Sequence, residues 1–245
     1  VVFRLGDDLA VRIPRVGWAV AQGEKEARWL PRLSPALPVE VPLPVAVGRP
    51  GLGYPWPWLV SRWLDGADAV GSAVDPREVA AFVLALRKID PSGAPGTLGR
   101  RGGGLLPFDE RTRADIAALR DEIDVGRALA VWDAALAAPP PAARTWIHGD
   151  LLPGNLLLRD GHLTGVVDWG SAGVGDPACD LMVAWSLDGD DRAAFHAAVE
   201  ADDAAWARAR GTALSQAVTF IPYYERSIPS AVAAARRRLH AVLGA

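Results

Sequence analysis

The chain of 245 residues has a single cysteine, Cys179, and only four histidines. One thiol excludes an intrachain disulfide and a cysteine-based zinc site, and it fits a reducing compartment such as the cytoplasm. So few histidines also weigh against a metal-dependent hydrolase of the histidine-ligated kind. An excess of one charge is missing too: 26 Lys and Arg against 29 Asp and Glu give a formal net charge of -3. A general nucleic-acid binder needs a basic surface to displace counterions from phosphates, so that class is set aside. The one basic run, Arg236-Arg237-Arg238, is expected on a solvated helix face. No apolar run approaches the roughly 20 residues of a membrane span, and nothing resembles a signal peptide. A soluble protein with neither nucleic-acid nor membrane partners is expected.

What is there is ordinary for a globular protein: 50% hydrophobic and 22% charged residues, enough chain for a sizeable core in one domain or two small lobes. Alternation around a Gly-Asp-Asp turn predicts a hairpin from Val2 to Ile13. A short helix is expected over Glu24 to Leu30, ended near Pro31, and a strand over Trp58 to Trp63. From Asp65 the pattern turns helical. Asp75, Pro76 and Glu78 form a capping-box arrangement before Val79, Phe82, Val83, Leu86 and Ile89, which share one helical face. Further helices are predicted at Asp109 to Ile123, Val125 to Ala138, Pro177 to Leu187, Asp191 to Val199, Asp203 to Tyr224 and Ser230 to Leu243. The fold class is therefore α+β, with a small β-rich lobe over residues 1–64 and a helical lobe over 65–245, joined near Leu64 to Gly66.

The chemistry concentrates in "WIHGDLLPGNLLLRDGHLTGVVDWG", Trp146 to Gly170. Asn155 precedes one apolar strand, "RDG" supplies a turn, and the return strand ends at Asp168. Antiparallel strands lie roughly 5 Å apart, so Asn155 and Asp168 should meet at the open end of the hairpin. An amide oxygen and a carboxylate suit magnesium, whose other ligands are commonly water and substrate phosphates. Asp150, five residues before Asn155, stands where a carboxylate can orient or deprotonate a hydroxyl attacking a phosphoryl group. His148, directly after Trp146-Ile147, reads as a loop-structuring residue rather than a base.

"HGDLLPGN", "VVDWG" and "GDPACDL" together resemble the catalytic loop, metal motif and following segment of the aminoglycoside phosphotransferase family, relatives of the protein kinases. The resemblance implies a protein-kinase-like bilobal fold. It implies a magnesium-dependent transfer of the terminal phosphate of ATP or GTP to a hydroxyl of a small molecule, aminoglycosides and related antibiotics among them. Carried over residue by residue, Asp150 matches the catalytic aspartate, Asn155 and Asp168 the magnesium ligands, and Asp180 an aspartate read as structural. Asp176 before Pro177 is equally a helix N-cap. In the small lobe the family's phosphate-holding lysine and its glutamate partner fall on Arg12 and Glu26, with Glu24 the competing partner. The segment Trp56 to Gly66 resembles the inter-lobe hinge. There, main-chain groups of Ser61, Arg62 and Trp63 would meet a purine edge and Val60 would pack on its face. Trp56 and Trp58 read as packing residues.

Three departures stand out. The small lobe is expected to lack its first strand and the phosphate-covering glycine-rich loop, because Val1 already falls in the strand before Arg12. Gly102 to Gly104 cannot replace that loop and read as a flexible connection between helices. Arg12 stands for lysine, and Leu152 for a frequent histidine. These keep a second reading open, a nucleotide- or ligand-binding pseudokinase. Acceptor identity is open as well: Asp188, Asp190, Asp191, Asp202 and Asp203 are of the charge a cationic acceptor needs but read as caps and solvated loops, and Tyr223 and Tyr224 read as part of a packed helix rather than as a pocket wall. Choline-like, sugar-like, macrolide and peptide-antibiotic acceptors all remain candidates.

Overall fold

The computed structural model describes residues 1–97 and 101–244. Two short strands, β1 (Val2–Leu5) and β2 (Leu9–Arg12), form the hairpin turned at Gly6, which takes a positive φ of 62°. They join β3 (Pro44–Gly48) and β4 (Trp58–Arg62) in an antiparallel sheet of order β1-β2-β4-β3. One face of this sheet is covered by α1 (Val20–Leu33), which is longer than the sequence predicts at both ends. It continues past Pro31 because proline removes one helical hydrogen bond, while Leu30 and Leu33 on either side of it are buried.

The larger, helical part contains α2 (Pro76–Arg87), α3 (Asp109–Ala118), α4 (Val125–Ala137), α5 (Gly189–Val199), α6 (Asp203–Tyr224) and α7 (Pro229–Leu243). A short sheet of β5 (Ala67–Asp68), β7 (Leu156–Arg159) and β8 (His162–Val166) and a two-stranded pair of β6 (Thr145–Ile147) with β9 (Gly173–Gly175) lie within it. The predicted helix after Asp176 is a ten-residue 3-10 helix, Pro177–Ser186. Eight of its residues, Ala178 to Trp185, are buried, so it runs through the core without a solvent face. Phe82, Trp132, Trp146, Trp169 and Phe195 are the largest fully buried side chains among the described residues.

Two expectations about helix ends need correction. Asp75 caps α2 by accepting from the Arg77 N–H at 2.8 Å, but Glu78 does not close a capping box. Its carboxylate accepts instead from the Leu163 N–H at 2.7 Å and pairs with the His162 ring at 2.8 Å, tying α2 to β8. The basic run in α7 is not a solvated face throughout: Arg238 is buried, while Arg236 bridges Glu122 and Glu225. A face that packs against α6 has to bury whichever residue falls on it, and Arg238 does so with its Nη2 donating to Gln216 Oε1 of that helix.

Candidate active site

β6 leads directly into the loop that carries Asp150. Gly149 adopts a φ of +80°, and a Cβ there would lie 2.8 Å from the Ser171 carbonyl oxygen, so the loop can press against the segment after Asp168 only as glycine. His148 is fully buried. Its Nε2–H donates to the Val167 carbonyl at 2.9 Å and its Nδ1 accepts from the Asp150 N–H at 3.3 Å, the assignment in which both contacts are satisfied. Both ring nitrogens are thus engaged, and His148 braces Asp150 against the strand end that carries Asp168.

Asp180 completes the brace. Its two carboxylate oxygens accept from the His148 and Gly149 N–H groups at 2.7 and 2.8 Å. Burial pushes its carboxyl above the usual range, and His148, the two backbone donors and Arg87 offset part of that. The structural reading of Asp180 fits these contacts. Asp176 caps the 3-10 helix through the Ala178 N–H at 2.9 Å and also receives Arg208 Nε at 2.7 Å, a largely buried ion pair.

The hairpin brings Asn155 to the strand end that precedes Asp168. Leu156 pairs with Val166, and the Val167 N–H donates to the Asn155 carbonyl at 3.0 Å. Asn155 Nδ2 donates to the Asp150 carbonyl at 2.8 Å, which fixes the side chain and leaves Oδ1 as its remaining polar atom. Asp168 takes a left-handed conformation, φ 60° and ψ 63°, with a side chain about half exposed. Among the described residues no group of three or more His, Cys, Asp or Glu side chains is placed to hold a metal. A cation here would rest on two protein oxygens and on phosphates, a donor set that fits magnesium.

Arg12, on β2, reaches across from the small sheet. It ion-pairs with Glu26, donates to Gln22 Oε1 at 3.0 Å, and stands 3.5 Å from Asp168 Oδ1. Glu26 is buried while Glu24 is exposed, which decides between the two candidate partners. Burial pushes the Glu26 carboxyl up and Arg12 pulls it back.

At the hinge the sequence expectation is corrected in one respect. The Arg62 N–H donates to the Leu43 carbonyl and the Trp63 N–H to the Asp8 carbonyl, each at 2.8 Å. Ser61 lies inside the ladder opposite Ala10 and Pro44, and Val60 is buried opposite Val11. The sheet therefore commits the amide donors of Arg62 and Trp63, leaving them none for a purine. Trp58 packs flat on Gly48 and Trp56 lies edge-on to Tyr54, as packing residues.

Beside Asp150 a cavity of about 240 Å³ opens between the catalytic loop, the 3-10 helix and α6. Tyr223 and Tyr224 line it: Tyr224 packs on the core and against Phe220, as the helix reading expects, and also borders the cavity, while Tyr223 is 76% exposed at its rim. Cys179 also lines it, but burial pushes its thiol well up, which makes it a packing group and not a nucleophile. Sequence reasoning missed Arg101, whose Nη1 lies 2.5 Å from Asp150 Oδ2 and donates to Ser171 Oγ at 2.9 Å. Gly102, read as part of a flexible connection, is buried at φ +80°; a Cβ there would come within 2.3 Å of Ile147 Cδ1, and its carbonyl accepts from the Asp176 N–H at 2.9 Å. The five aspartates considered for a cationic acceptor lie elsewhere: Asp202 caps α6, and Asp188 and Asp191 face a neighbouring groove of about 780 Å³.

The arrangement sets a guanidinium, Arg12, beside a carboxylate, Asp168, with a second carboxylate, Asp150, on the cavity, groups of the kinds a kinase uses for phosphate, metal and hydroxyl. Comparison with solved structures agrees at the level of fold. The GDP and kanamycin complex of the aminoglycoside phosphotransferase APH(2")-IIia matches with a TM-score of 0.69 at 18% identity, covering 100% of this chain and 93% of that one. Macrolide 2'-phosphotransferase MphH from Brachybacterium faecium matches at 0.61 and 23% identity, over 97% of this chain and 84% of that one. A thermostable mutant of APH(4)-Ia matches at 0.64 and 20%, over 99% and 89%. No curated protein matches the chain. The profile of the phosphotransferase enzyme family (APH) matches residues 1–212, most of the sequence, and the chain belongs to that family.

Proposed function

We propose that this phosphotransferase moves the terminal phosphoryl group of ATP or GTP, with magnesium, to a hydroxyl of a small molecule held in the cavity beside Asp150. The observation that supports the reading is the chain of contacts Asp150–Asn155–Val167, in which the Asn155 side chain holds the Asp150 carbonyl and the Asn155 carbonyl holds the residue before Asp168. Magnesium on Asn155 and Asp168 would neutralise charge on the phosphate oxygens. Arg12, steadied by Glu26 and Gln22, binds phosphate with its planar fork. Asp150 orients the acceptor hydroxyl and takes its proton as the oxygen attacks the terminal phosphorus. The bond from that phosphorus to the bridging oxygen breaks, and its electron pair leaves with the nucleoside diphosphate. The purine edge meets main chain after Trp63, where Leu64 has no main-chain hydrogen bond among the described residues.

The acceptor is an uncharged or weakly charged hydroxyl compound with an apolar body. Among the described residues the cavity's charged lining is one pair, Arg101 and Asp150, and Leu105, Phe108, Met182 and Phe220 supply much of the rest. The adjoining groove sets Arg192, Arg237 and Arg238 against Asp188 and Asp191. A polycation would find too few carboxylates to replace its hydration.

The test is a panel of neutral, anionic and polycationic hydroxyl compounds incubated with terminally labelled ATP or GTP and magnesium. Labelled product is expected with wild type and at least about a hundredfold less with Asp150→Ala, the scale of a lost proton acceptor. Equal transfer by Asp150→Ala would refute the mechanism. Nucleotide binding without transfer to any compound would favour a binding protein instead.

A further inference from the structure

In the absence of an acceptor, neither oxygen of Asp150 is open. Oδ1 is buried and has no hydrogen-bond partner among the described residues, and Oδ2 is taken by Arg101 at 2.5 Å. A hydroxyl entering the cavity must therefore replace the guanidinium at Oδ2 or share that oxygen with it. The contact is built rather than incidental. Arg101 is also held by Ser171 Oγ, next to the Asp168-Trp169-Gly170 segment. It is placed from the other side by Gly102, whose carbonyl is fixed by the Asp176 N–H at 2.9 Å and by Arg144 at 3.3 Å. Asp176 is in turn gripped by Arg208. Yet the Arg101 side chain keeps 41% of its surface exposed, so it can leave without opening the core.

We propose that Arg101 determines specificity for the acceptor over water, by capping the carboxylate of Asp150 until an acceptor fills the cavity. The inference rests on the role given above to Asp150. A kinase that binds nucleotide before its acceptor faces water as a rival nucleophile at enormous concentration. Water attack would form a new bond from water oxygen to the terminal phosphorus and break the bond to the bridging oxygen. The electron pair leaves on the nucleoside diphosphate, the water proton passes to Asp150, and inorganic phosphate is released. With a guanidinium on Oδ2, a water has to share that oxygen with a cation, which makes the carboxylate a poorer guide for the water and a poorer acceptor of its proton. Water is too small to fill the cavity and displace the arginine; an acceptor with an apolar body contacts Phe108, Phe220 and the tyrosines and gains enough to do so.

The experiment is acceptor-free release of labelled phosphate from ATP and GTP with magnesium, by the full chain and by Arg101→Ala, Arg101→Gln and Arg101→Lys. Both neutral variants should hydrolyse nucleotide about tenfold faster than wild type, a barrier change of the size expected for uncovering one proton acceptor. Arg101→Lys, which keeps a cation on a shorter side chain that reaches Oδ2 and Ser171 Oγ less well than Nη1 does, should lie between. Added guanidinium at millimolar levels should slow Arg101→Ala back towards the wild-type rate. A rate for folded Arg101→Ala or Arg101→Gln equal to or below wild type overturns the proposal. The double variant Arg101→Ala with Asp150→Asn separates the two claims: loss of the gain supports the cap. Persistence of the gain would show that Arg101 does not act through Asp150, which overturns the cap, whereas equal acceptor transfer by Asp150→Ala is what would refute the role of Asp150 itself.

Discussion

Asp180 holds the backbone N–H of His148 at 2.7 Å, across 32 residues of sequence and in a fully buried position. With the second bond to Gly149, both lone-pair faces of one carboxylate are used to suspend the loop that ends in Asp150. Asp180→Asn replaces one acceptor oxygen by an NH₂ group facing an N–H donor. It should destabilise the fold by about 1–3 kcal/mol, the cost of leaving a buried donor unpaired, and lower transfer through displacement of Asp150. Chemical denaturation with a parallel transfer assay checks both. A variant as stable and as active as wild type would show that the loop holds its shape without this brace.

The Asp176–Arg208 pair makes a different kind of demand. Arg208 is buried and its Nε and Nη2 both address Asp176. Removing the carboxylate with Asp176→Ala leaves a guanidinium without its counter-charge, for which about 3–5 kcal/mol is typical. Asp176→Ala combined with Arg208→Met should recover much of that loss. Thermal unfolding of wild type, Asp176→Ala, Arg208→Met and the double variant distinguishes the pair from two independent contributions, which would add.

One tie is pH-dependent in the physiological range. His162 is raised above the ordinary imidazole value of 6.5, first by its hydrogen bond to Glu78, then by that carboxylate's charge, with Asp160 and Asp75 adding to it. The folded state therefore holds a proton that the unfolded chain gives up sooner. The stabilisation is fully present below 6.5 and is lost as pH rises through the raised folded value. Proton NMR titration of His162 should move down towards the ordinary value in Glu78→Gln. No movement would mean that Glu78 does not hold the imidazolium.

Much of this was legible because local chemistry and tertiary structure agree. The hairpin between Asn155 and Asp168 follows from alternation around "RDG", and the Asp75 cap from residue type alone. The expectation of two unlike regions, sheet then helix, matches the observed order of elements. What was hidden depends on partners distant in sequence. Nothing in "RRGGG" marks Arg101 for Asp150, because the contact is made by Gly102 packing on Ile147 and Gly175. Glu78 has the spacing of a capping box, yet β8 offers it an amide and an imidazole at once. Arg238 sits in a basic run that reads as solvated, and only the packing of α7 on α6 decides that it is inside, where burial pushes its guanidinium down to about 10. The hinge misled for a similar reason: sequence shows a strand followed by a glycine, but not which of its amides the neighbouring strands use.

The central claim is that Asn155 and Asp168 supply the protein oxygens for a cation that accompanies the nucleotide, while Asp150 serves the acceptor. Calorimetric titration of ATP and GTP, with and without magnesium, tests it without knowledge of the acceptor. Wild type and Asp150→Asn should both gain roughly tenfold or more in affinity from magnesium, and Asp168→Asn should lose that gain. An undiminished magnesium effect in Asp168→Asn would contradict the account.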